Sequence, residues 1–159
     1  MTSTASVYRP IDEPRGSALS HLSVKPLWIL LSLMLAGPWM AWPWFVLNAI
    51  ATGSPTRGKE IGASLVGLLL PVALLALVTL GVEGGLYALS VGRYLAIAVS
   101  VARLGVGYFV YVEQARTFAL HEHFGGRVRN GFPVLVIGVL LARRIPDDAL
   151  PGIWSLLLR

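Results

Sequence analysis

Long uncharged apolar runs alternate with short charged stretches along this chain, and the runs show no two-residue alternation. Positions 26–56 contain no charged residue, a stretch of 31. Its core, PLWILLSLMLAGPWMAWPWFVLNAI (26–50), exceeds the roughly 20 apolar residues a membrane helix needs, and predicts a first span. A second follows at 61–82, 22 uncharged residues. A third, 86–112, is apolar or small apart from Arg93 and Arg103. The fourth, 131–142, has 12 residues, which reach only about 18 Å as a helix against a hydrocarbon core of about 30 Å. It must recruit neighbours, thin the bilayer or re-enter. The stretch 151–159 is too short to span and is expected to lie in the interface or return into it.

Without dyad alternation these segments read as helices rather than barrel strands, because every backbone group in lipid must find its partner within the segment. The fold class predicted is all-α: a polytopic membrane helical bundle of about four transmembrane or membrane-inserted helices. Residues 1–25 form a polar N-terminal tail and 26–159 a single helical membrane domain. The tail carries Asp12, Glu13 and two prolines, and the first run is longer than the ~7–15 residues of a signal sequence. A retained span is therefore expected. Pro38, Pro43 and Pro71 fall inside the runs and should bend their helices. Small residues four apart (Gly37 and Ala41, Ala63 and Gly67, Ala98 and Ala102) permit close helix approach. Trp39, Trp42 and Trp44 predict a membrane boundary in the distal half of the first span.

Composition agrees with this picture. Of 159 residues 55% are hydrophobic and 13% charged, and mean hydropathy is +0.70. Soluble domains carry about 25% charged residues. The absence of cysteine excludes disulfides, thiolate catalysis and cysteine-held metal. The pI of about 10.1 reads as basic flanks facing anionic lipid, not as a nucleic-acid surface, because the arginines form no stripe. With four spans both termini share one side. Arg9, Arg15, Lys25, Arg143, Arg144 and Arg159, with Arg93 if it is read as flank, then stand against Arg57, Lys59, Arg116, Arg127 and Arg129, at most seven to five. That excess favours both termini in the cytoplasm, with the C-terminus on the other side if the fourth segment re-enters, and the composition suits a bacterial inner membrane.

Few residues could carry chemistry. Arg103 lies well inside the third run, where a central arginine costs about 2.5–3.5 kcal/mol on translocon scales. Glu83 and Glu113 are its candidate partners. Glu113 lies about 15 Å along a straight helix and cannot pair with it directly; Glu83 reaches it only if the chain folds back. The competing reading shifts the span and leaves Arg103 to snorkel. His121, Glu122 and His123 form the one histidine cluster, but His-x-His on a helix points its rings apart. A solvated helix end is preferred. Asn48 and Gln114 are amides near span ends, able to bond across helices for about 0.6–2 kcal/mol. Asp147 and Asp148 read as a turn. No GxSxG, P-loop or dense acidic set appears, so no catalytic, cofactor-binding or metal residue is assigned.

The function expected is therefore non-enzymatic: binding, as an accessory subunit of a membrane complex or an immunity-type partner. A membrane protein partner or a homo-oligomer is expected beside the lipid bilayer, and no nucleic acid. A small oligomeric transporter or channel for an anion, built on Arg103, is the alternative. A membrane metal protein or enzyme using His121, His123 and Glu113 or Glu122 comes third.

Overall fold

In the computed structural model, residues 19–126 and 128–144 are described. Their regular elements are helical, apart from an isolated bridge between Val24 and Arg129. A 3-10 turn, Ser20–Leu22, leads into α1 (Pro26–Leu35), α2 (Pro38–Ala51), α3 (Arg57–Glu83), α4 (Leu89–His123) and α5 (Phe132–Ala142). The segment 151–159, Asp147 and Asp148 lie outside the described residues.

The first apolar run is two helices, not one. α1 stops at Ala36 and Gly37, whose N–H groups both donate to the Ser32 carbonyl at 2.9 Å. Gly37 takes φ 96° and ψ 173°, a conformation almost confined to glycine. Pro38 then opens α2 at a first-turn position, where its missing N–H costs nothing. The chain reverses there. The Val24 N–H, just before α1, donates to Asn48 Oδ1 near the end of α2 at 3.0 Å, so the two helices lie antiparallel. Hydropathy registers the run but not its change of direction. Pro43 and Pro71, by contrast, sit inside continuous helices.

α3 and α4 form a second, much longer antiparallel hairpin. With 27 and 35 residues they extend for about 40 and 52 Å. Their turn is closed by Tyr87, whose ring lies over Gly81 and whose hydroxyl donates to the Val78 carbonyl at 3.1 Å. α4 runs past the predicted 112 to His123, because helical pairing continues beyond the hydropathic stretch.

The short hairpin covers one half of the long one. The Trp42 ring lies against Gly67 of α3, and Leu33 of α1 against Gly107 of α4; a Cβ at either glycine would collide. Ile29, Leu33, Ala41, Trp42, Phe45 and Val110 make the main core. α5 lies parallel to α1, with Gly131 against Trp28 and Gly138 against Met40 and Ala36. Residues 23–25, the loop after α2 and the end of α4 thus meet at one end of the molecule, the base; the α3–α4 turn is the tip. Toward the tip the packing reduces to Leu75 with Ala96 and Val99, while Leu77, Leu80, Tyr94 and Val101 face outward.

Candidate functional site: a buried polar layer at the base

Along α4 the buried positions Arg103, Gly107, Val110, Gln114, Thr117 and His121 recur every three or four residues, one stripe of a helix. The stripe changes chemistry along its length. Near the base it is polar, and the facing elements answer with polar groups.

Asn48 and Gln114 join α2 to α4. The Asn48 amide donates to Gln114 Oε1 at 3.1 Å, and the Gln114 amide donates to the Phe45 carbonyl at 2.7 Å. With the Val24 N–H on Asn48 Oδ1, this pair also anchors the entry to α1. His121 is buried, with Nε2 at 3.4 Å from Ser23 Oγ. Gly126 lies directly over its ring, where a side chain would clash. Gly125, at φ 78°, supplies the left-handed residue that ends α4. His123 is exposed, so the two rings do diverge. Glu122 is exposed as well, 4.0 Å from Lys25, a surface pair of little energetic weight. Among the described residues no group of three His, Asp or Glu is placed to hold a metal ion.

Glu60 is the residue that sequence reading passed over. It is 1% exposed, in the first turn of α3. Thr56 Oγ1 donates to its Oε1 at 2.8 Å, and Ser54 Oγ donates to the same oxygen. Ser54 has one proton, already committed, so the Thr117 hydroxyl must be the donor in their 3.2 Å contact. The Thr56 N–H also donates to Ser54 Oγ, at 3.2 Å. Ser54 therefore relays α4 and the loop onto the carboxylate. Glu60 Oε2 is buried with no hydrogen-bond partner among the described residues. The hydroxyl run TGSPT (52–56) ahead of an acidic first turn was the available signal. It escapes a capping-box search because Thr56 and Glu60 are four apart, whereas that box needs three.

The remaining candidates are scattered. Arg103, 6% exposed, is one turn toward the tip from Gly107 and so level with the Gly37 reversal. That level is the carbonyl end of α1, the negative end of its dipole. Glu83 closes α3 at the tip and is exposed; Glu113 is half-buried on α4. Neither forms an ion pair with Arg103. The structure brings together Asn48, Gln114 and His121, and leaves Glu83, Glu113 and Arg103 apart. Comparison with family models, curated proteins and solved structures returned no match. The residues alone must carry the functional reading.

Proposed function

We propose that this chain is an integral membrane protein that acts by binding, as an accessory subunit of a membrane complex. α3 and α4 cross the bilayer, and the α1–α2 hairpin enters and leaves from the base side. Two helices here are long and apolar enough to cross a membrane. α1, α2 and α5, with 10, 14 and 11 residues, fall short of the ~20 needed. Charge supports this arrangement. Lys25, Arg57, Lys59, Arg116 and Arg129 belong to the base, against Arg93 at the tip and Arg143 and Arg144 after the apex-side end of α5, a bias that favours a cytoplasmic base.

The observation that carries the binding role is the half-covered hairpin. Toward the tip, apolar side chains of α3 and α4 away from their mutual contact face outward, and the small pair Ala98 and Ala102 is exposed on one face of α4. Small residues admit a neighbouring helix closely. Asn48, Gln114 and His121 are engaged with each other's helices and with Ser23, as structural contacts.

The test is cross-linking and pull-down from native membranes, wild type beside Ala98→Glu/Ala102→Glu. A stoichiometric second protein, lost in the double variant, is expected. Monomeric protein with nothing captured would remove the proposal. A clean homo-oligomer with no second protein would turn the reading to anion transport. That reading has its own support: Arg103 is level with the hairpin apex, and α5 carries Arg143 and Arg144 to a neighbouring depth. Arg103→Leu should then abolish flux with folding kept.

A further inference from the structure

A cleft of about 540 Å³ opens between α2 and α5. Met40, Pro43 and Leu47 give it one apolar wall, and Pro133 and Val134 the other; Arg129 stands at one end. Leu47 and Arg129 belong to the base, whereas Met40 lies beside Gly138 near the hairpin apex. The cleft therefore follows α2 inward from the base for about 10 Å, the rise of seven helical residues.

Arg129 is anchored through its backbone, its N–H donating to the Ser23 carbonyl at 2.9 Å. Its guanidinium is exposed and makes no ion pair or hydrogen bond with any described residue. Nearby Lys25 already faces Glu122. The cleft thus has a cation at the interface end and an apolar channel running from it toward mid-bilayer. A membrane lipid has the same polarity in the same direction: charged headgroup outermost, hydrocarbon inward. A free phosphate would match only Arg129 and leave the apolar walls bare.

We propose that this cleft holds one acyl chain of an anionic phospholipid from the base-side leaflet, with the headgroup phosphate on Arg129. The proposal rests on the membrane reading above. The backbone bond fixes where the Arg129 side chain leaves the chain, at the base end of the cleft, and its exposed guanidinium can turn to meet a phosphate. The apolar walls supply affinity for any acyl chain, and the guanidinium supplies the preference for negative charge.

The experiment is native mass spectrometry of the full-length protein in detergent, titrated with phosphatidylglycerol and separately with phosphatidylcholine. Phosphatidylglycerol should bind about fivefold more tightly, the effect of roughly one basic side chain near an anionic surface. Arg129→Gln should equalise the two lipids while keeping both. Val134→Phe, which fills the cleft, should lower occupancy by both, whereas Leu80→Phe toward the tip should change neither. Equal binding of the two lipids by the wild type would overturn the proposal, as would a preference that survives Arg129→Gln. That arm stands even if Val134→Phe fails to fold, because Arg129 is exposed. A disulfide between Ser6→Cys and Val134→Cys that excludes lipid would make the chain's own N-terminal segment the occupant, and would also overturn it. Recovery of the protein in the aqueous fraction without detergent would instead refute the membrane reading itself.

Discussion

Glu60 shows how a single buried acid can be held by its neighbours and still be incompletely satisfied. Two hydroxyls donate to one of its oxygens, and the other oxygen is enclosed without a donor. Glu60→Gln keeps an acceptor for Ser54 and Thr56, whereas Glu60→Leu orphans both. A buried group left without its partner costs about 1–3 kcal/mol. The leucine variant should therefore be less stable than the glutamine variant by about that amount, read by thermal unfolding in detergent. Equal stability of the two would mean that the acceptor at Oε1 does not hold the loop to α3. The sequence made Asn48 and Gln114 visible because polar groups are scarce near apolar runs; His121 stood out only through the histidine cluster and was expected at a solvated helix end, whereas it is buried. Glu60 was hidden because it lies beside Arg57 and Lys59, where charge reads as solvated flank. Its carboxylate is tied to α4 through Ser54, which meets Thr117 63 residues away, a contact that no local pattern encodes.

Among the elements, α3 and α5 follow the uncharged runs 61–82 and 131–142 closely, since an uninterrupted apolar run and a helix in lipid have the same physical cause. The run 26–50 was read as one span because hydropathy averages over direction. The reversal is encoded in three residues, Ala36-Gly37-Pro38, a helix stop followed at once by a helix start. Gly37→Ala must place a Cβ at φ 96°. It should cost about 1–3 kcal/mol. Gly105→Ala is the control, since Gly105 lies in the helical interior of α4 with open space where a Cβ would go. It should gain about 0.5–1 kcal/mol. Melting temperatures moving in opposite directions would bear out the strained reversal. A neutral Gly37→Ala would mean that α1 and α2 can join without it.

For the whole molecule, the hairpin changes what connects to which side. A single helix over 26–50 would put Leu22 and Pro55 on opposite faces of the bilayer. The fold puts both at the base and Leu86 at the tip. The chain has no cysteine, and Leu22, Pro55 and Leu86 are all exposed, so single cysteines there can be labelled without background. Leu22→Cys and Pro55→Cys should react with an impermeant maleimide from one side, and Leu86→Cys only from the other. Labelling of Leu22→Cys and Pro55→Cys from opposite sides would restore the single span. The same geometry explains why the sequence count of flanking cations was nearly balanced. Counting a crossing at 26–50 assigned Lys25 and Arg57 to opposite sides, although the fold gathers them at one end.

The bond between Asn48 and Gln114 also sets a clock. Its partners are separated by 66 residues, and a ribosome adds about 5–20 residues per second. For about 3–13 s after Asn48 leaves the ribosome, the helix that will accept its amide has not been made. During that interval the first hairpin can close its local bond to Val24 and lay Trp42 on α3, but its face toward α4 waits unpaired. The order of synthesis is thus the reverse of the order of need. The element that enters first is stabilised by the one that emerges later, and a chaperone or insertion factor would have most to do in that gap.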